Sequence, residues 1–391
     1  MSKKKGGKGS SQKIRVDFKR NRSVRTREKD WTRRFDPNES QADADADSGE
    51  RISGKGNLAR KRTVVGEILP AENASGERGD FQIYPDLRGR ETLAGRVIEV
   101  HGLYSRVEEE DSGNLFTCLT RRILKTLSTD QRQIVVAGDR VRFRDAGNGE
   151  GIIERIEPRF GTLSRTSRSR KHVIVTNVDQ AMIVASAAEP RIKPNLIDRI
   201  LVTCERAGIR PIIVINKIDL IDPVELAPLV GVYSQIGYRV IPVSARSGFG
   251  IERLRKRFAG RESVVIGQSG VGKSSLLNAV EPGLELRTGE VSLETQKGRH
   301  TTTTAELLRL SFGGYVVDTP GIRQFMLWDI IPEEVIGFYR DLRPYENLCR
   351  FPDCTHSHED GCAVKDAVAD GRIDARRYAS YLALRAGEME S

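Results

Sequence analysis

Cysteine is scarce in this chain: 391 residues include five, and three of these lie between positions 349 and 362. So few cysteines in a chain of this length do not form the disulfide framework of a small secreted protein. Their clustering instead favours a metal site in a reducing compartment. We therefore expect a cytoplasmic protein.

Long apolar segments are missing as well. Nowhere do 18 apolar residues run together, and the lysine-rich N-terminus is not followed by the apolar segment of a secretory signal. A membrane-spanning helix needs about 20 mostly apolar residues in succession. We therefore predict neither secretion nor insertion into a membrane.

Positive charge, by contrast, is present in excess. The chain has 64 Lys and Arg against 54 Asp and Glu, a formal net charge of +10. This charge suits a polyanionic partner, although ordinary basic proteins have it too. With 38% hydrophobic residues the chain can bury a sizeable core, and its length predicts two or three domains.

Residues 1–60 contain too few apolar side chains to form a core, and we predict a disordered extension. Its first half is rich in Lys and Arg, whereas residues 35–50 are rich in Asp and Glu. This pattern indicates a basic arm on an acidic linker. Contact of the arm with nucleic acid and a solvated tail without a partner both remain open.

Residues 61–160, with a core from about residue 88, predict a small β domain. The predicted strands are residues 96–100, 103–107, 115–119, 140–143 and 151–156. Five short strands favour a closed OB-like β-barrel, because closure leaves no unpaired sheet edge. Its many arginines suit RNA binding, and a solvated basic face is the alternative.

Residues 161–328 predict an α/β domain, because several continuous apolar segments have the character of parallel strands buried on both faces. The predicted strands are residues 173–175, 181–185, 211–215, 239–243 and 264–266, with a helix at 195–207.

A phosphate-binding loop follows the last of these strands and precedes a helical segment. Its sequence fits the pattern G-x-x-x-x-G-K-[ST] in full. The glycines let backbone N–H groups approach phosphates, Lys273 reaches the β- and γ-phosphates, and the Ser274 hydroxyl coordinates Mg²⁺. The predicted nucleotide-binding residues here are Gly267, Gln268, Ser269, Gly270, Val271, Gly272, Lys273, Ser274 and Ser275.

Guanine recognition is predicted by Asn216-Lys217-Ile218-Asp219, at the end of strand 211–215. The Asp219 carboxylate can accept hydrogen bonds from N1–H and the 2-amino group of guanine, which adenine does not offer. Ser244 and Ala245 follow the next strand, where a loop would close over the guanine edge. The ligands are therefore predicted to be GTP and GDP.

Magnesium and γ-phosphate contacts are predicted downstream. Asp318 ends a strand and can hold Mg²⁺ through water, and Gly321 can offer its N–H to the γ-phosphate. In the loop before them Thr302 is our first choice as a Mg²⁺ ligand and Thr301 the alternative.

The order of the motifs indicates a circularly permuted GTPase, because Asn216 and Ser244 precede Gly267. Such a change is tolerated because the termini of compact domains often lie close together.

Residues 329–391 predict a helical zinc-binding domain, with a helix at 373–385. Three thiolates and one imidazole form a closed tetrahedral shell for one structural zinc per chain. The predicted ligands are Cys349, Cys354, His356 and Cys362. His358 is an alternative to His356, and reduced cysteines that bind no metal are the other interpretation.

The basic barrel, the permuted GTPase motifs and the Cys-Cys-His-Cys cluster together resemble the bacterial small ribosomal subunit biogenesis GTPase RsgA family. The resemblance covers roughly residues 88 to 390 and implies GTP hydrolysis stimulated by the small (30S) ribosomal subunit. It implies a late maturation or checkpoint factor that binds rRNA through its barrel and zinc domain. We expect a monomer that is released on hydrolysis. Two alternatives remain: an RNA-binding protein that uses GTP only as a conformational switch, and a large-subunit assembly GTPase.

The catalytic residue is less clear than the nucleotide site, because Ile322 and not glutamine follows Gly321. The resemblance implies that His300 positions the attacking water once the ribosome orders its loop, and Gln324 is a weaker candidate. A structural role for His300 is the alternative.

The first prediction concerns nucleotide choice. We expect the protein to bind GTP and GDP but not ATP, and Asp219→Asn to lower the ratio of GTP to ATP affinity by about tenfold or more, because the amide lacks the second acceptor. Competition between the nucleotides for the purified proteins measures this ratio. Equal affinity of the unmodified protein for ATP and GTP would contradict it.

Overall fold

The computed structural model describes residues 12–17, 61–68, 81–85, 87, 91–121, 124, 134–167, 170–286, 305–318 and 331–387. Within these residues the strands form a three-stranded sheet, a closed barrel, a two-stranded sheet and a six-stranded sheet, in that order along the chain. Among the helices described, none has the length and apolar character needed to cross a bilayer.

The three-stranded sheet is antiparallel and is formed by β1 (Gln12–Asp17), β2 (Lys61–Ile68) and β3 (Phe81–Pro85). Strand β1 lies within residues 1–60, so for these six residues the structure differs from the predicted disorder. The reason is local, because Ile14 and Val16 alternate with charged residues at the period of a strand. The rest of that extension lies outside the described residues.

The closed barrel confirms the OB-like prediction. It is formed by β4 (Leu93–His101), β5 (Tyr104–Glu109), β6 (Leu115–Thr120), β7 (Arg140–Gly147) and β8 (Glu150–Ile156). Around the barrel their order is β4-β5-β6-β8-β7. Along each strand, alternate side chains face the interior of the barrel and fill its core. Val97, Phe143 and Ile153, which are fully buried, are examples.

A hairpin of β9 (Leu163–Ser167) and β10 (Arg170–Val175) follows the barrel. We predicted residues 173–175 as a strand of the large sheet, and this was wrong. Two residues separate the strands, so β10 pairs antiparallel with the strand directly before it. Val175 also forms a bridge to Ala137 next to the barrel.

The six-stranded sheet contains β11 (Gln180–Ser186), β12 (Arg210–Asn216), β13 (Arg239–Pro242), β14 (Glu262–Ile266), β15 (Glu306–Arg309) and β16 (Tyr315–Asp318). Its order is β13-β12-β11-β14-β16-β15. All pairs are parallel except β15 with β16. The carboxyl ends of its five parallel strands therefore share one edge.

Helices cover both faces of this sheet: α1 (Pro194–Ala207), α2 (Ala227–Gln235), α3 (Ile251–Phe258) and α4 (Lys273–Val280). Ile183 of β11 packs in the cluster that contains residues of α1 and α2. The next residue, Val184, packs in the cluster that contains residues of α3 and α4. Burial on both faces explains why β11 is apolar without alternation.

The barrel docks on the amino end of this sheet through charged pairs. Arg96 lies 2.8 Å from the buried carboxylate of Glu262, the first residue of β14. Burial raises the pKa of Glu262 to about 7, and the charges of Arg96 and Arg140 oppose this shift. A second carboxylate, Glu108 on the barrel, accepts a hydrogen bond from the Tyr315 hydroxyl at 3.0 Å.

The C-terminal region contains α5 (Ala363–Ala369) and α6 (Ala375–Arg385) after two 3₁₀ helices, Pro332–Phe338 and Arg343–Leu348. Helix α6 confirms the predicted helix at 373–385 except at its first two residues. It packs against α1, so the C-terminal region lies on the α/β domain.

The contact between these two parts contains a buried arginine, Arg377 of α6. Its Nη1 donates to Asp198 of α1 at 2.5 Å, and its Nε and Nη2 donate to Asp341 at 3.0 and 2.7 Å. The Tyr233 hydroxyl also donates to Asp198, at 2.8 Å. Although burial lowers the pKa of Arg377, its bonds to Asp341 and the charge of Asp198 raise it above its ordinary value.

The second prediction tests this network. We expect Arg377→Ala to lower the free energy of unfolding by about 3–5 kcal/mol, because it leaves two carboxylates buried without their counter-charge. Urea unfolding measures the loss. The control is Arg376→Ala, whose side chain is half exposed and pairs with Asp374, and which we expect to cost less than about 1 kcal/mol. Similar losses for the two variants would contradict the role of Arg377.

Candidate functional site

The carboxyl edge of the six-stranded sheet gathers motifs that are far apart in sequence. Asn216 is the last residue of β12, Asp318 is the last residue of β16, and the loop that starts at Gly267 follows β14 directly. Ser244 lies just beyond β13. Ligands of open α/β sheets bind at this edge.

The loop between β14 and α4 depends on its glycines. A Cβ atom at Gly267 would overlap the carbonyl oxygen of Val184, and one at Gly272 would lie 2.6 Å from the side-chain nitrogen of Asn216. Gly272 also has a φ of 89°, which L side chains rarely adopt. Helix α4 begins at the next residue, so the partial positive charge of its N-terminus faces this loop.

Lys273 and Ser274 occupy the first turn of α4. The Lys273 Nζ donates to the carbonyl oxygens of Gly267 and Gln268 at 2.8 and 2.7 Å. The ammonium thus lies within the loop, where phosphate oxygens could replace these acceptors. Val271 is buried in the core, whereas Ser269, Gly270 and Ser275 are exposed.

The guanine motif is tied to this loop by two side chains. Asn216 is buried; its Nδ2 donates to the carbonyl oxygen of Val271 at 3.0 Å, and its Oδ1 accepts from the N–H of Ala245 at 3.1 Å. The Lys217 Nζ donates to the carbonyl oxygens of Gly270 at 2.7 Å and Glu189 at 2.6 Å. These bonds position the phosphate-binding and guanine-binding segments relative to each other.

The residues that the sequence predicts to contact guanine are in two loops, one after β12 and one after β13. Asp219 is exposed on the 3₁₀ turn Ile218–Leu220, whereas Ile218 is buried. Ser244 is buried, and its Oγ accepts a hydrogen bond from the N–H of Ser247 at 3.0 Å. Its hydroxyl therefore holds the turn of the loop.

The sequence missed the segment before α1. Besides the Glu189 carbonyl, Pro190 and Arg191 line a cavity beside the loop together with Gly267 and Gln268. Backbone acceptors carry no sequence signal, since any residue supplies them, so no pattern could have indicated this contact.

A magnesium ion fits the same edge. In the sheet, β16 lies next to β14, with Val317 beside Val264. Asp318 ends β16, and the loop after β14 leads into the first turn of α4. A carboxylate and a hydroxyl are oxygen ligands of the kind that Mg²⁺ prefers. The other predicted residues, His300, Thr301, Thr302 and Gly321, lie outside the described residues.

The C-terminal region brings the four predicted zinc ligands together. Their ligand atoms all lie within 4.8 Å of one another. The Sγ atoms of Cys349 and Cys362 are 3.9 Å apart, and they lie 3.3 and 3.5 Å from Nδ1 of His356. Tetrahedral zinc with Zn–S bonds of about 2.3 Å places two sulfurs roughly 3.8 Å apart. Cys349, Cys354, His356 and Cys362 therefore suit a zinc ion, whereas His358 is exposed and lies outside the cluster.

Helix α6 supports the loop that carries His356. The hydroxyls of Tyr378 and Tyr381 donate to the carbonyl oxygens of His356 and Thr355 at 2.7 and 3.1 Å. The Glu359 carboxylate accepts from the N–H groups of Thr355 and Ser357 at 2.7 and 3.1 Å. Such contacts around the ligands orient them for the metal.

The barrel, the P-loop that follows its guanine motif, and the C-terminal cysteine and histidine cluster define a circularly permuted GTPase with a candidate zinc domain. A model described as RsgA GTPase matches residues 156–328. The chain is 44% identical over 292 residues to the small ribosomal subunit biogenesis GTPase RsgA of Ectopseudomonas mendocina, covering 73% of this chain and 81% of that protein. A relative of the same name from Thermotoga neapolitana is 40% identical over 291 residues, covering 74% and 94%. The chain belongs to the RsgA GTPase family.

Two solved structures have the same architecture. The crystal structure of YjeQ from Thermotoga maritima aligns with a TM-score of 0.65 and 35% identity, covering 77% of this chain and 100% of that chain. YloQ, described as a circularly permuted GTPase, aligns with a TM-score of 0.60 and 31% identity, covering 78% and 97%.

The third prediction concerns the metal. We expect about one zinc ion per purified chain, and its loss in Cys354→Ala and His356→Ala, because three ligands no longer close the shell. The control is His358→Ala, which should retain zinc since this side chain lies outside the cluster. Metal analysis measures the content, and guanine nucleotide binding checks that the α/β domain remains folded. Zinc loss in the His358 variant alone would contradict the assignment.

Proposed function

We propose that this protein is a GTP hydrolase that acts in late maturation of the small (30S) ribosomal subunit. The observation that carries the proposal is the Asn216 link between the phosphate-binding loop and the guanine motif, in a member of the RsgA GTPase family. The relatives at 40–44% identity are named small ribosomal subunit biogenesis GTPases. The role on the subunit is transferred from those names.

We assign the nucleotide contacts by residue type and motif. Asp219 receives the guanine edge, Lys273 neutralises the β- and γ-phosphates, and Ser274 with Thr302 or Thr301 would hold Mg²⁺. Asp318 would contact the ion through water, and the Gly321 N–H would contact the γ-phosphate. When bound, Mg²⁺ supplies neutralisation of the charge that develops on the transferred phosphoryl group.

Hydrolysis needs a water molecule in line with the γ-phosphate. Because Ile322 follows Gly321, the chain lacks a glutamine at the position that many GTPases use. We assign His300 to this task and expect slow turnover until the subunit orders its loop. Side chains that position or deprotonate water commonly contribute about 10²–10⁴-fold.

We propose that the bound nucleotide controls the affinity of the protein for the small ribosomal subunit. Residues 319–330 connect Asp318, at the nucleotide edge, to the C-terminal region, so a γ-phosphate contact at Gly321 can influence that region. If GTP strengthens subunit binding, the subunit strengthens GTP binding by the same factor. Hydrolysis then promotes release.

We propose the domain boundaries 61–160, 161–328 and 329–391, and contacts with rRNA through the barrel and the zinc domain. The protein would act as a cytoplasmic monomer.

The fourth prediction is selective stimulation. We expect purified small subunits, but not large subunits, to accelerate GTP turnover, and Lys273→Ala to abolish it because the phosphates lose their cation. We expect His300→Ala to lower the stimulated rate by about 10²-fold while GTP affinity stays unchanged. The measurement is phosphate release with each subunit, alongside nucleotide titration.

Two results would refute this function. Equal stimulation by both subunits would remove the selectivity, and binding to small subunits without any turnover would favour a protein that uses GTP only as a conformational ligand.

A further inference from the structure

A cavity of about 420 Å³ opens at the amino edge of the six-stranded sheet, opposite the nucleotide-binding edge. We call it the amino-edge cavity. Among the described residues, those that line it include no carboxylate. They include six cations: Arg210, Arg239, Lys256, Arg257, Arg261 and Arg340.

These cations come from separate parts of the chain. Arg210 begins β12, and Arg239 begins the neighbouring strand β13 beside Ile212, two residues beyond Arg210. Lys256 and Arg257 belong to the last turn of α3, and Arg261 directly precedes β14. The concentration of charge is therefore produced by the fold and not by one basic segment.

The wall of the cavity is fixed by hydrogen bonds. The Gln180 Nε2 donates to the carbonyl oxygen of Arg257 at 2.7 Å and to the Ser263 hydroxyl at 2.8 Å, which holds the end of α3 against the sheet. Arg340 comes from the C-terminal region; it pairs with Glu205 at 2.7 Å and lies over the Tyr238 ring at 4.3 Å. The cavity thus spans the α/β domain and the C-terminal region.

Stabilisation of helix α3 explains only some of the six cations around the amino-edge cavity. Cations in the last turn of a helix interact favourably with its C-terminal carbonyls, which accounts for Lys256 and Arg257. It does not account for Arg210, Arg239 and Arg261, which lie at strand ends and are exposed. Within the described part of the chain, Arg340 is the one cation of the six that has an ion pair. The other five place like charges around one cavity, and like charges repel one another.

We propose that the amino-edge cavity binds phosphate groups of an RNA backbone, at a site separate from the GTP site. Arginine offers a planar fork that matches phosphate oxygens. Among the described residues, the lining includes no aromatic ring on which a base could stack, so we expect the site to contact phosphate and not base. Exposed cations suit an extended polyanion better than an enclosed small ligand. The choice of RNA over an acidic protein segment rests on the proposed function.

The test uses the full chain and a labelled RNA duplex of about 20 base pairs, long enough to span several phosphate contacts. The variant Arg239→Gln/Arg261→Gln removes two cations of the cavity. The control Arg253→Gln/Arg372→Gln removes the same charge from exposed arginines outside the lining. Fluorescence anisotropy gives the affinity at a series of salt concentrations, and GTP titration checks the fold of each variant.

We expect the cavity variant to bind the duplex about tenfold more weakly, and the slope of log affinity against log salt to fall by about 2, roughly one per lost phosphate contact. The control should change the affinity less than about twofold. Unchanged binding by the cavity variant, or equal losses in both variants, overturns the proposal. Competition by polyglutamate as strong as that by unlabelled duplex overturns the choice of RNA.

A second measurement needs no variant. Bound duplex should protect Lys256 of the unmodified protein from acetylation, and absence of protection overturns the proposal. Inorganic tripolyphosphate separates the two sources of phosphate, because protection by it without protection by the duplex would assign the site to a free polyphosphate. These assays contain no ribosomal subunit, so their failure is distinct from a failure of subunit-stimulated turnover.

Discussion

The side-chain amide of Asn216 makes the nucleotide-binding edge a single site. It donates to the loop after β14 and accepts from the loop after β13, although Val271 lies 55 residues away along the chain. Both ends of the amide are used, so aspartate, which has no donor when ionised, could not replace it. Lys217 adds bonds from the same motif to Gly270 and Glu189. These contacts fix the position of the phosphate-loop motif relative to the guanine motif.

Circular permutation leaves this arrangement intact because a parallel sheet is defined by strand neighbours and not by chain order. Strand β14 lies between β11 and β16 and pairs with both. The permutation alters the path of the chain beyond the nucleotide edge, because the chain leaves β16 and continues to the C-terminal region. Arg377 then attaches that region to α1 through Asp198, so both ends of the connection are fixed to the same α/β domain.

The two edges of the sheet differ in how they gather charge. The carboxyl edge uses glycines, backbone and a helix N-terminus, and presents a small number of charged side chains to a compact ligand. The amino edge gathers arginines from several elements, one of them Arg340 of the C-terminal region. A polyanion at the amino edge would contact two parts of the protein at once, while the nucleotide remains at the opposite edge.

Local patterns in the sequence were sufficient for the fold class. Alternation identified the barrel strands, the glycine spacing identified the phosphate loop, and the cysteine spacing identified the cluster at Cys349 and Cys362. Each of these patterns lies within a short segment of the chain, so it can be recognised without knowledge of the fold. A local pattern also misled us at residues 173–175, because an apolar segment does not reveal its pairing partner.

The tertiary structure decided the features that depend on contacts between distant residues. It selected His356 over His358, since ligand geometry and not spacing separates two neighbouring histidines. It also showed the bond from Lys217 to the Glu189 carbonyl and the six cations around the amino-edge cavity. No pattern in the sequence indicated either feature. The roles of His300, Thr302 and Gly321 stay predictions. The sequence by itself therefore determined which chemical groups the protein has. The packing of strands and helices decided which of them meet, because a hydrogen bond spans only about 3 Å and exposed charges are screened beyond about 8 Å.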